Sequence, residues 1–252
     1  MSDEKKRLIA VSTENVEVNN LLDYIHEVEF AGADYLHCDV MDGIVVDNFT
    51  FDHKVVKAIA KKTKLPLDVH LIMDDTRKYV RKYTSIRPRP AIITVQYDLF
   101  YYERQLRKTL KIIRRYGVKA GLALSPNIPV SYILPFFNLC DVVVVLGTEI
   151  GEKDTVLDES TLLKIGQLMD LKKRYKKDLI IEFGGGVNKE NSSRIFDAGV
   201  DIIVSGRYVQ ESFSKKYAVQ KLREKADLTN TDLTKLKNVL PKKKERLIKI
   251  NY

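Results

Sequence analysis

Residues 31–43 read AGADYLHCDVMDG, and residues 65–71 read LPLDVHL. In the first stretch Gly32 falls where a chain leaves a helix, and the run at 35–39 that follows has the length of a strand. The same order of helix, glycine and strand recurs at Gly117 and Gly199. Working outward, strands are expected at 8–12, 35–39, 67–71, 91–96, 119–124, 142–146, 179–183 and 202–205, alternating with segments of helical period such as 16–31 and 102–116. Such alternation argues for β/α units and a parallel sheet. An open doubly wound sheet would use the same pattern, but eight units within roughly 210 residues is the number at which a barrel closes. The expected fold is therefore α/β, a (β/α)8 TIM barrel. Residues 1–252 are read as one domain, with the barrel over 8–226 and a basic extension over 227–252 interrupted by Pro241. Asn15 and Asn188 are expected to cap helix N-termini.

Composition fits a folded chain. Of 252 residues, 44% are hydrophobic and 31% charged, which argues against disorder. No apolar run approaches the roughly 20 residues that span a bilayer, and residues 1–7 are charged without a signal-like apolar stretch. No membrane association is expected, and the cytoplasm is the expected compartment. Cys38 and Cys140 lack metal or redox spacing and read as buried free thiols. A net charge of +9 suits a sugar phosphate, nucleic acid or an acidic surface equally. The runs at Lys172, Lys173, Arg174, Lys176 and Lys177, and at Lys242, Lys243, Lys244 and Arg246, read as solvated faces. They lack the interleaved aromatics of a single-strand binder, so nucleic acid is not the expected partner.

Barrel chemistry sits at the C-terminal ends of the strands. There, His37 and Asp39 are two apart and share a face, while Cys38 points the other way; Asp68 and His70 share a face by the same parity. Inward imidazoles and carboxylates need partners. A divalent metal such as zinc, iron or manganese would serve, and so would hydrogen bonds among neighbours; spacing leaves both open. His26 and His53 fall in helical stretches and read as surface or packing residues. Gly184, Gly185 and Gly186 follow the seventh strand, and Ser205, Gly206 and Arg207 follow the eighth, where barrels often bind phosphate. A glycine triplet alone is equally the mark of a tight turn.

Together with residues 118–126, VKAGLALSP, and 198–206, AGVDIIVSG, the two opening stretches resemble the ribulose-phosphate 3-epimerase family, in order over residues 8–209. The HxDVMDG element followed by DVHL is highly specific. The resemblance implies a metal-assisted epimerase of a ketose phosphate such as ribulose 5-phosphate, in which two aspartates on opposite faces of the sugar move the C3 proton through an enediolate. By position, His37, Asp39 and His70 match the metal ligands, and Asp39 one of the acid/base pair. Ser12 and Met41 match further substrate-site positions. Gly185, Gly186, Gly206 and Arg207 match the phosphate grip, the arginine standing where serine is usual. Relatives commonly self-associate, so a homo-oligomer is expected.

The departures gather in the site. The family's seventh strand ends E-V-D-G-G, but here Glu182, Phe183, Gly184, Gly185, Gly186 puts glycine in place of the second aspartate, which is also the fourth metal ligand. The family's sixth loop is replaced by Glu149, Ile150, Gly151, Glu152, Lys153, Asp154 and Thr155, and the second by Gly43, Ile44, Val45, Val46, Asp47 and Asn48. Gln96 stands where histidine is common, and Ile72 where methionine is. Glu182, Glu149 and Glu152 are considered as replacement acids. A noncatalytic relative that senses a phosphorylated metabolite or binds a protein, and a lyase or isomerase needing one base, stay open. Hexulose-phosphate barrels carry a lysine between aspartates where this chain has Asp39, Val40, Met41 and Asp42.

Overall fold

The computed structural model describes residues 6–152 and 157–225; the expected extension at 227–252, and Lys153, Asp154 and Thr155, lie outside the described residues. Eight parallel strands close into a barrel in sequence order: β1 (Leu8–Ser12), β2 (Tyr35–Met41), β3 (Leu67–Ile72), β4 (Ile92–Gln96), β5 (Lys119–Leu124), β6 (Val142–Leu146), β7 (Ile180–Gly184) and β8 (Ile202–Ser205). Closure is made by β1 pairing with β8, Leu8 opposite Ile202 and Val11 opposite Ser205. The barrel expected from the alternating pattern is the one observed. β2 runs two residues past its expected end because β3 pairs with it as far as Met41 opposite Ile72.

The crossovers carry α1 (Leu21–Phe30), α2 (His53–Ala60), α3 (Thr76–Thr84), α4 (Glu103–Arg115), α5 (Leu162–Arg174), α6 (Ser192–Asp197), α7 (Arg207–Glu211) and α8 (Lys215–Arg223). The fifth crossover is instead a 3-10 segment, Val130–Leu139, with Pro135 inside it; a proline there removes an amide donor and disfavours the α-helical ladder. Gly32 and Gly117 end α1 and α4 with positive φ of 83° and 72°. At the first, the Gly32 and Ala33 amides donate to the carbonyls of Glu29 and Val28, satisfying carbonyls the helix end would leave open.

The proposed cap at Asn15 is not found. Asn15 adopts φ 63°, and α1 starts only after the 3-10 turn Val18–Asn20; asparagine tolerates the left-handed region that turns the chain there. Asn188 caps a turn rather than a helix, its Oδ1 accepting from the Glu190 and Asn191 amides ahead of α6. Both assignments misread a local turn as a helix start, since asparagine serves either purpose.

Alternation along the strands makes two cores. Outward residues such as Leu36, Cys38 and Val40 pack under the helices in the larger one. Inward residues Ala10, Ile92, Ala123, Val142, Val144, Ile202 and Val204 fill the smaller one inside the barrel. Apolar side chains thus fill much of the lumen, and the β2, β3 and β7 staves add polar groups to it. Both cysteines are buried and free. No described helix is long and apolar enough to cross a membrane.

Candidate active site

Register places the polar groups. Parallel pairing sets His37 opposite Asp68 and Asp39 opposite His70 on neighbouring staves, and Ser12 opposite His37. Because the pleat sends alternate residues inward, these groups meet in two layers of the lumen. In the upper layer Asp39 Oδ1 lies 3.2 Å from His37 Nε2 and 3.3 Å from His70 Nδ1. Ser12 Oγ donates to Asp39 Oδ2 at 3.1 Å.

The outer nitrogen of each ring is already engaged. His37 Nδ1 lies 2.6 Å from Asp68, which is fully buried and can only accept, so Nδ1 carries the proton. His70 Nε2 faces Gln96 Oε1 at 3.1 Å, and Gln96 Nε2 donates to Asp98 at 2.7 Å and to Ser125 Oγ at 2.9 Å. Asp98 fixes the amide orientation, the amide oxygen fixes the His70 proton on Nε2, and His70 Nδ1 is left with its lone pair. Both imidazoles therefore turn lone pairs towards a carboxylate oxygen, an electron-rich convergence that needs a proton or a cation at its centre.

The titration behaviour agrees. Burial works to lower the proton affinity of His37, but Asp39 and Asp68 on either side outweigh it and hold the imidazole well above its ordinary value. Burial works to raise the Asp39 carboxyl, but His37 and His70 outweigh that and hold it below the usual carboxylate range. One nitrogen from each histidine and one Asp39 oxygen all lie within 4.8 Å of one another. Two borderline nitrogen donors and one carboxylate fit zinc, iron or manganese with positions to spare.

Glu182 occupies the layer beneath. It is fully buried, 3.8 Å from His37 Nδ1. Burial, and then Asp68, push its carboxyl well above the ordinary range. It does not line the cavity above, which removes it as the replacement acid. A methyl group built on Gly184 would meet only Val204, Cβ at 3.4 Å and Cγ2 at 3.7 Å. Nothing has moved in where the family's aspartate would stand.

Above the histidines opens a cavity of about 730 Å³. It is lined by Ser12, His37, Asp39, Met41, His70, Gly185, Gly186, Gly206 and Arg207, which thus reach one space, while Asp68 and Ser205 lie outside it. At Gly185 φ is +90°, and a Cβ would lie 2.6 Å from Thr148 Oγ1; only glycine fits that turn. α7 after Gly206 is a mere five residues, too short to present a substantial helix dipole to the cavity. Glu149 and Glu152 stand at the rim. His26 is exposed on α1, and His53 stacks edge-on against Tyr83, as expected.

Among the lining residues the sequence reading did not single out is an acid. Glu14, two positions beyond Ser12, is half-buried in the cavity wall; its amide donates to Ser12 Oγ at 3.0 Å, and its carbonyl accepts from Gln210 Nε2. Burial first, then the nearby Asp39, push its carboxyl up to about 7 against the opposing pull of His37 and Arg207. A carboxylate just past a strand that ends in a site residue was the available signal.

Comparison with known proteins agrees with this geometry. The model of the Ribulose-phosphate 3 epimerase family matches residues 8–210. The ribulose-phosphate 3-epimerase of Bacillus subtilis is 34% identical over 200 residues, covering 79% of this chain and 90% of the relative. That of Synechocystis is 31% identical over 205 residues, covering 81% and 88%. Among solved structures, 3-hexulose-6-phosphate synthase from Salmonella typhimurium superposes with a TM-score of 0.63 at 12% identity, covering 86% of this chain and 96% of that one, a likeness of fold.

Proposed function

The chain belongs to the ribulose-phosphate 3-epimerase family, and from that premise we propose that it binds a ketose phosphate such as ribulose 5-phosphate and moves the C3 proton through an enediolate. What carries the reading is the pair of imidazole lone pairs aimed at Asp39 in the floor of the cavity.

His37, Asp39 and His70 would hold a divalent cation, whose chemistry is to polarise the C2 carbonyl and C3 hydroxyl. Asp68 and the Gln96–Asp98–Ser125 relay keep the two rings in the tautomers that ligation needs. Asp39 stays ionised and is the group that takes the C3 proton, with Ser12 steadying its second oxygen. The amides at Gly185, Gly186 and Gly206, with the Arg207 side chain, hold the phosphate and so fix which carbon faces Asp39. Met41 and Ile72 contribute apolar wall that keeps water from the reacting carbon. A homo-oligomer remains the expected assembly.

The test pairs elemental analysis of purified protein with exchange of the C3 proton of ribulose 5-phosphate in deuterium oxide. Bound zinc, iron or manganese together with exchange is the expected result. Gly184 favours a second reading, a noncatalytic binder of phosphorylated metabolites. Metal-free protein that binds the sugar phosphate without exchange would establish it instead.

A further inference from the structure

We propose that Glu14 is the second proton-transfer residue of this site, taking over the task that the family gives to the aspartate replaced here by Gly184. The inference rests on the epimerase reading above. Asp39 alone can take a proton from C3 and return it, which gives exchange but leaves the configuration unchanged. Inversion needs a second proton carrier.

The acids of the cavity leave few alternatives among the described residues. Glu182 lies a layer too deep, against His37 and Asp68, and does not line the cavity. Glu152, Glu190 and Glu211 are exposed, and Glu149, half-buried like Glu14, has Asp98 and Glu152 as its charged neighbours rather than Asp39 or His37. Glu14 is half-buried and within electrostatic reach of Asp39 and His37 on one side and of Arg207 on the other. It lines the same cavity as Asp39 and His37 in the floor and as Gly206 and Arg207. Its backbone is pinned at both ends, by Ser12 Oγ at its amide and by Gln210 at its carbonyl. Ser12 Oγ also donates to Asp39, so one hydroxyl ties the Glu14 backbone to the Asp39 carboxylate.

The step balances without an added reagent. Asp39 takes the proton as the C3–H bond breaks, and the electron pair passes through C2 onto the carbonyl oxygen. The Glu14 carboxyl then gives its proton to C3 from the other side as the carbonyl reforms. Asp39 ends protonated and Glu14 ionised, and exchange with water, or the reverse reaction, restores both.

The experiment uses metal-loaded protein and ribulose 5-phosphate in deuterium oxide, reading deuterium at C3 of recovered substrate separately from formation of the C3 epimer. Wild type is expected to do both. Glu14→Gln is expected to keep exchange within about tenfold while epimer formation falls by about a hundredfold or more, the usual loss for a general acid. Retained exchange also certifies that the variant folds. Glu14→Gln combined with Gly184→Asp is expected to recover epimer formation. Glu14→Asp, with the carboxyl one methylene shorter, should exceed Glu14→Gln in epimer formation by about tenfold or more. The assignment is overturned by epimer formation in Glu14→Gln close to wild type, by equality of Glu14→Asp with Glu14→Gln, or by wild type that exchanges but never inverts. Wild type that does not exchange at all sinks the epimerase reading itself, a separate failure.

Discussion

Replacing Gly184 by aspartate should tighten divalent-metal binding by ten- to a hundredfold. Gly184 does not have a left-handed φ, and a Cβ there would touch Val204 at 3.4 Å, ordinary van der Waals contact. The backbone therefore accepts the side chain without strain. A carboxylate about 4 Å from a unit positive charge gains about 4 kcal/mol at an effective dielectric near 20. Desolvating the new carboxylate, and crowding it against the existing charge of Asp39, takes back much of that gain. A net of about 1.4–2.8 kcal/mol remains, which is the stated factor. Titration calorimetry with zinc or manganese on chelator-stripped protein measures it directly, with a melting curve to show that the variant is folded. Unchanged or weaker affinity in a folded variant would mean that the seventh strand does not face the cluster of His37, Asp39 and His70, and would refute the site geometry.

Three other outcomes follow from the same structure. Asp68→Asn should weaken metal binding by about ten- to a hundredfold in the same calorimetry, because the amide lets His37 carry its proton on Nε2 where the lone pair is needed. Asp39→Asn should lower C3 exchange by about two to four orders of magnitude while equilibrium binding of inorganic phosphate at the Gly185 and Gly186 turn is retained. The Glu14 carboxyl is raised from 4.5 to about 7, so its contribution to stability is present below pH 4.5 and is lost as pH rises through 7. The full shift is worth about 3 kcal/mol, and partial exposure reduces it to about 1–2 kcal/mol. Metal-free Glu14→Gln should accordingly melt higher than wild type by about 2–8 °C at pH 8 and equally at pH 4; equal melting at pH 8 would show that Glu14 is not in the environment described.

The order of strands, the closed barrel and the set of residues at its mouth were legible in the sequence. Hydrophobic period, glycine punctuation and strand parity are local properties, and the chain carries them whether or not it is folded. Parity alone put His37 with Asp39 and Asp68 with His70, and the glycine pairs marked the ends of β7 and β8. Asn15 and Asn188 were misplaced as helix caps because asparagine also serves left-handed and turn positions. What the sequence left open was whether the histidines met a metal or merely each other. β3 lies in register beside β2 with Gln96 of β4 behind it, which engages the outer nitrogens and turns the inner lone pairs on Asp39, the donor set a divalent ion would need. The depth of Glu182 and the approach of Glu14 towards Asp39 likewise depend on stagger between staves far apart in the chain. Parity tells which way a side chain points, and only closure of the sheet tells what it meets.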